Sequence, residues 1–339
     1  MGLKEQLRKT LNSLLKRRGY EIVASQHLYE WQKNPVTGPS YKRSDLPAGA
    51  EEYLQLNNPR LQDLKARYES FNDAVTAPLV WTNDLLRPED ILYFRGDNAY
   101  VWQVRGPNMN ILSYALATYY AMSIDRLDLL EQLEEDELFG NFVFDIGGRP
   151  VSRDLLDSIV EFYFLDKHLG LSQSPEKRIL DIGAGYGRLA HRMTSILPDI
   201  KEYLCTDGVA ASSFISEYHL RFRKLEGKAK VVPLDEIEKE LSDKKIDLAV
   251  NIHSFSECGI SAIEWWLSLL EKSGVKHLVV APNFCNHGGE LLQTNDGEDF
   301  SGIIENHGYR LIAKEPKYKD PIVQKHAIGP TYYNLFELR

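Results

Sequence analysis

The residues best suited to hold a ligand lie in the stretch "DIGAGYG", residues 181–187, which follows a short apolar run. Glycines allow the backbone to turn sharply and to approach a ligand closely. A second acid, Asp207, ends the next apolar run, where a carboxylate can accept hydrogen bonds from ribose hydroxyls. Asp181 suits an ammonium group better than a diphosphate. A ligand with a ribose and a cationic amino acid therefore fits these residues.

The main alternative for such a turn is the dinucleotide-binding fingerprint G-x-G-x-x-G, which requires glycine at position 188. The chain has Arg188 there. Because the third glycine permits close packing of helix on strand, this mismatch argues against a nicotinamide or flavin cofactor. A purely structural glycine turn is disfavoured, since the preceding strand, the spacing and the second acid agree.

Two later loops contain polar side chains suited to group transfer. They are Asn251, His253 and Glu257 after one apolar run, and Asn283, Asn286 and His287 after the next. Histidine titrates near neutral pH, so His253 and His287 are candidate general bases, although either could be structural. Glu257 could orient the histidine, act itself, or cap the next helix. The two asparagines of the second loop could bind acceptor hydroxyls or simply form turns.

The acidic stretch "NDGEDF", residues 295–300, raises the question of a metal. Asp296, Glu298 and Asp299 could chelate Mg²⁺ together with vicinal hydroxyls of an acceptor. The stretch fits no calcium-loop pattern. We favour a solvated acidic loop and assign no metal ligand.

Short apolar runs predict the elements that position these residues. Strands are expected at residues 178–182, 202–206, 229–233, 247–252, 278–281, 310–314 and 332–338. Helix-length segments separate the first five runs, which indicates a parallel sheet with crossover helices. No helical pattern separates the last two, which predicts an antiparallel edge pair. The expected fold of residues 151–339 is therefore α/β, with a doubly wound, mainly parallel seven-stranded sheet.

Residues 1–150 predict a mainly helical region that serves as a lid or a wall for acceptor specificity. Helices are expected at residues 51–75 and 110–138, and a β-hairpin at residues 91–105. A further helix is expected just after this region, at residues 152–168. Arg105 at the end of this hairpin could bind an acidic acceptor, or form an ordinary surface ion pair.

The spacing of residues 181–187 and Asp207 resembles motif I of the class I S-adenosylmethionine-dependent methyltransferases, and the resemblance extends from residue 178 to the C-terminus. It implies S-adenosylmethionine as cofactor and S-adenosylhomocysteine as product. The cofactor-binding residues that it implies are Asp181, Gly183, Ala184, Gly185, Tyr186, Gly187, Asp207, Gly208, Leu234, Asp235 and Asn251. Among these, Leu234 and Asp235 would contact adenine, although Asp235 could instead cap the following helix.

A second resemblance concerns the acceptor. The phrases "ILDIGAGYGRLAHR" and "DLAVNIHSFSECG", with the long N-terminal region, resemble sugar O-methyltransferases of bacterial polysaccharide and glycolipid biosynthesis. The resemblance implies methylation of a sugar or glycoside hydroxyl. Two alternatives remain open: a methyltransferase for another small metabolite, and a non-catalytic module that uses this fold to bind a partner.

Composition and charge constrain the partners. A net charge of −9 argues against nucleic acid, which requires a basic face. No apolar run approaches the roughly 18 residues of a membrane span, and three cysteines without metal-site spacing favour a reducing, cytoplasmic compartment. The basic amphipathic N-terminus could dock on this protein or a partner subunit, or contact the inner membrane face peripherally. A homo-oligomer is left open.

Overall fold

The computed structural model describes residues 14–15, 44–76, 80, 86–96, 109–283 and 289–339. The strands are β1 (Phe144–Ile146), β2 (Arg149–Val151), β3 (Arg178–Ile182), β4 (Glu202–Thr206), β5 (Ala229–Val231), β6 (Leu248–Ile252), β7 (His277–Ala281), β8 (Tyr309–Pro316) and β9 (Tyr332–Leu338). The α-helices are α1 (Ala50–Tyr53), α2 (Pro59–Glu69), α3 (Asp73–Thr76), α4 (Pro88–Leu92), α5 (Ile111–Ile124), α6 (Leu129–Gln132), α7 (Arg153–Leu169), α8 (Arg188–Ile196), α9 (Ala210–Phe222), α10 (Ile237–Asp243), α11 (Ile260–Lys272), α12 (Ser301–Asn306) and α13 (Pro321–His326). Short 3₁₀ turns occupy Leu138–Gly140, Leu234–Glu236 and Ser254–Glu257.

Strands β3 to β9 form one seven-stranded sheet in the order β5-β4-β3-β6-β7-β9-β8. Neighbouring strands are parallel except for β9, which runs antiparallel to both β7 and β8. The predicted doubly wound, mainly parallel α/β sheet is therefore confirmed. The strand order reverses between β3 and β6, so the carboxyl ends of these strands flank the crevice where such sheets bind ligands.

Local sequence signals explain several helix boundaries. The predicted helix at residues 152–168 is confirmed as α7, and it begins where the Ser152 hydroxyl accepts a hydrogen bond from the Leu155 amide at 3.1 Å. It ends at Gly170, whose φ of 61° lies in the left-handed region that favours glycine. The crossover helices predicted after β3 and β6 are α8 and α11.

The N-terminal predictions need correction. Residues 91–95 do not begin a strand, because α4 occupies Pro88–Leu92 with proline in its first turn. Residues 97–105 lie outside the described residues, so the second strand of the predicted hairpin and Arg105 stay untested. The single helix expected at residues 51–75 is three helices, since Asn58 caps a new helix that begins at Pro59.

Two further departures are small. The helix expected at residues 110–138 ends at Ile124, and Asp128, with a φ of 56°, separates it from the short α6. The connection between β8 and β9, predicted to lack a helix, contains α13. Neither change alters the sheet.

The described part of the N-terminal region packs directly on the sheet domain. One hydrophobic cluster joins Leu61 and Leu64 of α2 to Phe214 of α9, and another joins Tyr114 of α5 to Leu155 of α7. Both regions therefore contribute to the same cores. The domain boundary at residue 150 stays a prediction.

The proposed membrane or partner contact of the basic N-terminus lies outside the described residues, apart from Leu14 and Leu15. In the part of the chain that the structure describes, no helix has the length and apolar character needed to cross a bilayer.

Candidate functional site

The turn after β3 depends on glycine backbone geometry. Gly183, Gly185 and Gly187 have φ values of 77°, 59° and 78°, a region that residues with a Cβ rarely adopt. The amides of Gly183 and Ala184 both donate to the Thr206 carbonyl, at 2.9 and 3.0 Å. The turn is thereby fixed to the carboxyl end of β4, at the edge of the sheet where folds of this topology bind ligands.

The loop after β6 lies directly against this turn. A Cβ added to Gly183 would stand 2.2 Å from the Ser254 Cβ, so only glycine fits. Asn251 joins the same two loops: its Nδ2 donates to the Ile182 carbonyl at 3.1 Å, and its Oδ1 accepts from the Phe255 amide at 2.9 Å. Asn251 is fully buried. Its side chain therefore links the end of β3 to the loop after β6.

Asp207 stands where the sequence places a ribose-binding acid. One carboxylate oxygen accepts from the Gly185 amide at 3.0 Å, and the other accepts from the Val209 amide at 2.8 Å. Burial raises the pKa of Asp207 to about 6. The neighbouring Gly208 is exposed. The Ser212 hydroxyl is a third partner of this carboxylate, so Asp207 retains one acceptor site for a ligand hydroxyl.

Asp181 lies at the base of the same turn. It is buried, and the Tyr203 hydroxyl donates to its Oδ2 at 3.0 Å. Burial raises the pKa of Asp181 to about 7. A cationic ligand close to this carboxyl group would favour its ionised form.

Asp181→Asn is expected to stabilise the protein at pH 8. The raised pKa means that the folded state holds this proton more tightly than the unfolded chain, so the contribution of Asp181 to stability is fully present below its unfolded pKa and is lost as pH rises to about 7. Three pKa units correspond to at most about 4 kcal/mol. Thermal unfolding of the variant and the wild type at pH 4 and pH 8 measures the difference, which should vanish at the lower pH. A variant less stable than the wild type at pH 8 would contradict this origin of the shift.

The side chains of Tyr186 and Arg188 are buried against helix α7. The Tyr186 ring packs between Phe94 and His219, with ring centroids 5.2 and 5.3 Å away, and its hydroxyl donates to Asp154 at 3.0 Å. Arg188 donates to Glu161 of α7 at 2.7 and 3.2 Å. An ion pair thus binds α8 to α7 where a dinucleotide fold would use a glycine. At position 186 only the backbone belongs to the turn.

A buried ionic network surrounds these residues, and sequence reasoning did not find it. Arg95 pairs with Glu135 and Asp154 at 2.8 and 3.1 Å, and Arg192 of α8 pairs with the same two carboxylates at 2.7 and 2.9 Å. The four side chains are at most 2% exposed. Removing one partner from such a network leaves a buried charge uncompensated. The network connects the N-terminal region to the helix that follows the glycine turn.

The segment predicted to contact adenine is bound by helix α2. Leu234 is fully buried, and its amide donates to the Tyr68 hydroxyl at 3.0 Å. Arg67 donates to both carboxylate oxygens of Asp235, at 2.9 and 2.8 Å. The capping alternative for Asp235 is therefore wrong, since α10 has Glu236 as its N-cap and no side-chain cap.

His253 occupies the loop after β6 in a strained conformation. Its φ of 70° and ψ of −28° lie outside the regions that most residues prefer. It is buried, and burial lowers its pKa to about 3, with a further contribution from the positive charge of Lys317. Backbone strain of this kind costs about 1–3 kcal/mol and is concentrated at functional sites. The imidazole is neutral throughout the physiological range.

Asn283 and Glu257, both predicted to act on the acceptor side, lie next to each other. Asn283 donates to Glu257 at 3.1 Å, and the Asn283 amide donates to the Ser256 hydroxyl at 3.0 Å. Asn286 and His287 lie outside the described residues, so the second candidate base stays untested.

The acidic stretch at residues 295–300 is held by local hydrogen bonds. The Thr294 hydroxyl donates to Asp296, and the Ser301 amide donates to Asp299 at 2.7 Å. Over the described ranges, no three His, Cys, Asp or Glu side chains converge as metal ligands would.

Comparisons with known proteins give fold-level likeness only. No family model matches the chain, and no curated protein matches it. An S-adenosylmethionine-dependent methyltransferase of Aquifex aeolicus is 13% identical, with a TM-score of 0.38, over 48% of this chain and 83% of that one. The magnesium protoporphyrin IX methyltransferase of Synechocystis PCC 6803, solved with bound S-adenosylmethionine, is 11% identical, with a TM-score of 0.40, over 66% and 97% of the two chains.

The cyclase SpnF is equally similar, at 13% identity and a TM-score of 0.40 over 67% of this chain and 96% of that one.

Proposed function

We propose that the protein is an S-adenosylmethionine-dependent O-methyltransferase that acts on a hydroxyl of a sugar or glycoside. The observation that carries this proposal is the left-handed glycine turn at residues 183–187, whose Gly185 amide donates to the carboxylate of Asp207. Its glycines let a ligand approach the backbone closely. The neighbouring acidic side chains favour a ligand that carries positive charge.

The residues present fit this cofactor. Asp207 offers a remaining acceptor site for a ribose hydroxyl, while Asp181 complements a cationic amino acid. A pyrophosphate would instead meet the acidic side chain of Asp207, at a turn where Arg188 is already paired with Glu161. Electrostatics therefore favours a sulfonium and ammonium ligand over a dinucleotide.

When bound, S-adenosylmethionine supplies a methyl group made electrophilic by the adjacent positive sulfur. We propose that His253 takes the proton from the acceptor hydroxyl. As the oxygen gains the methyl group it becomes strongly acidic, so even a base of low pKa can take the proton, provided that it is neutral. His253 meets that condition. The rigid turn supplies the alignment, which can contribute about 7–11 kcal/mol in well-oriented systems.

We infer a sugar acceptor from the resemblance at residues 179–192 and 247–259, together with the polar side chains in the loops after β6 and β7. Asn283 and Glu257, already hydrogen-bonded to each other, offer donors and acceptors of the kind that hydroxyl groups require. We place the reaction in the cytoplasm, in polysaccharide or glycolipid synthesis, without nucleic acid and without a required metal.

Transfer of a labelled methyl group from S-adenosylmethionine tests the acceptor class. The panel should contain nucleotide sugars and glycosides, with non-sugar alcohols and amines as controls. Product formed only on sugar hydroxyls supports the proposal. Product formed only on the controls would assign another small metabolite, and cofactor binding without transfer to any compound would favour the partner-binding module.

A further inference from the structure

A buried histidine on α9 contacts the backbone of the glycine turn. His219 is 1% exposed, and its Nδ1 lies 3.1 Å from the Tyr186 carbonyl oxygen. Helix α9 approaches the turn closely here, because a Cβ added to Gly187 would stand 2.8 Å from the Ser216 hydroxyl oxygen. The cofactor-binding residues predicted from the sequence did not include this histidine.

The hydrogen-bond partners of His219 define which ring nitrogen carries the proton. The Arg223 Nε–H donates to His219 Nε2 at 3.1 Å, and a guanidinium can only donate, so Nε2 is the acceptor. Burial, reinforced by the positive charge of Arg223, holds the pKa of His219 well below its usual range, so the ring is neutral. Its single proton therefore lies on Nδ1, which donates to the Tyr186 carbonyl.

The peptide group between Tyr186 and Gly187 is fixed at both ends. Its carbonyl accepts from His219, while its N–H, on Gly187, donates to the Ala184 carbonyl at 3.0 Å and closes the turn. Because a peptide group is planar and rigid, its two ends cannot reorient independently. The histidine thus fixes the direction of a hydrogen bond that defines the turn.

This histidine belongs to a closed ring of hydrogen bonds and ion pairs that returns to Tyr186. Asp136 pairs with Arg223 at 2.6 Å and with Arg95 at 2.7 Å. Arg95 also pairs with Asp154 at 3.1 Å, and Asp154 accepts the hydroxyl of Tyr186 at 3.0 Å. The backbone and the side chain of Tyr186 are therefore both tied to the N-terminal region.

We propose that His219 is a positioning residue for cofactor binding, whose Nδ1–H holds the Tyr186 carbonyl and keeps the glycine turn in its ligand-binding conformation. The inference rests on the proposed function, because it takes the turn as the cofactor site. Rotation of the Tyr186 carbonyl would break the hydrogen bond that Gly187 makes within the turn. Arg223 contributes by fixing the tautomer, since an imidazole with its proton on Nε2 would direct a lone pair at the carbonyl.

Two substitutions separate the hydrogen bond of His219 from its packing. His219→Asn keeps a donor near the position of Nδ1, because both nitrogens are bonded to Cγ, whereas His219→Leu fills the space without a donor. We expect His219→Leu to bind S-adenosylhomocysteine at least about tenfold more weakly than the wild type, and His219→Asn to recover most of the loss. Calorimetric titration measures these affinities. Wild-type affinity in a folded leucine variant, or equal weakening in both variants, would overturn the proposal.

His191→Leu is the matched control. The His191 ring of α8 packs edge-to-face on that of His219, with ring centroids 5.6 Å apart, so the control removes a neighbouring imidazole from the same cluster. It should alter thermal stability and leave ligand affinity unchanged. Weakening as large as that of His219→Leu would assign the effect to packing and overturn the proposal.

Two measurements on the unliganded protein separate failure of this inference from failure of the proposed function. Nitrogen-15 NMR of the wild type should show the His219 proton on Nδ1, and a proton on Nε2 would overturn the proposal whether or not the variants fold. Hydrogen exchange of the Gly187 amide, relative to the amides of β3, should be faster in His219→Leu than in His219→Asn and the wild type.

Unchanged Gly187 exchange in His219→Leu, with normal binding of S-adenosylhomocysteine by the wild type, would overturn the positioning role alone. Failure of the wild type to bind S-adenosylhomocysteine would overturn the proposed function and this inference with it.

Discussion

Gly183→Ala is expected to weaken the binding of S-adenosylhomocysteine by at least about 100-fold, equivalent to about 2.7 kcal/mol. A left-handed alanine costs about 1–2 kcal/mol. Its Cβ would also stand 2.2 Å from that of Ser254, and overpacking of this kind costs about 1–3 kcal/mol. Relief requires movement of the turn or of the loop after β6, and these two segments form the crevice.

Gly274→Ala is the matched control for this prediction. Gly274 has a φ of 62°, and a Cβ added there meets nothing within 4 Å. The control should therefore lose some thermal stability from backbone strain while it binds the ligand normally. Calorimetric titration and thermal unfolding of both variants give the comparison. Equal ligand affinity in the two variants would show that the turn does not form the binding site.

His253→Asn is expected to lower methyl-transfer turnover by at least about 100-fold while cofactor affinity stays the same. Asparagine tolerates a positive φ better than most residues, so the strained backbone is kept and only the imidazole is lost. The measurement is transfer of labelled methyl to an acceptor on which the wild type is active, at saturating cofactor.

The control for this second prediction is His277→Asn, at the amino end of β7 and therefore at the opposite edge of the sheet. It should retain turnover. If His253→Asn also turns over at nearly the normal rate, His253 is structural, and His287 becomes the leading candidate for the base.

The sheet could be predicted from sequence because its signals are local. Strands buried on both faces appear as continuous apolar runs, and β3 is an example, with Ile179 and Leu180 fully buried. The hairpin of β1 and β2 also had a local signal that the sequence analysis overlooked. Gly147 and Gly148, with φ values of 65° and 86°, form the two-residue turn between the strands.

The sequence predicted only those parts of the site whose residues lie in short, recognisable segments. The glycine turn and Asp207 stand out by residue type and spacing, whereas the partners of Tyr186 and Arg188 come from distant parts of the chain. Asp154 lies 32 positions from Tyr186, and Tyr68 lies 166 positions from Leu234. No periodicity links such pairs. The contacts that Arg67 and Tyr68 make with Asp235 and Leu234 could therefore not be predicted from the sequence.

The most direct test of the central claim is calorimetric titration of the protein with S-adenosylhomocysteine and, separately, with NADH. The wild type should bind the first ligand with micromolar affinity and the second not at all, and Asp207→Asn should weaken binding by at least about tenfold. Asp247→Asn is the control, because Asp247 also accepts a backbone amide, at 2.9 Å, but at the opposite edge of the sheet. Binding of NADH in preference, or affinity for S-adenosylhomocysteine unchanged in Asp207→Asn, would contradict the account.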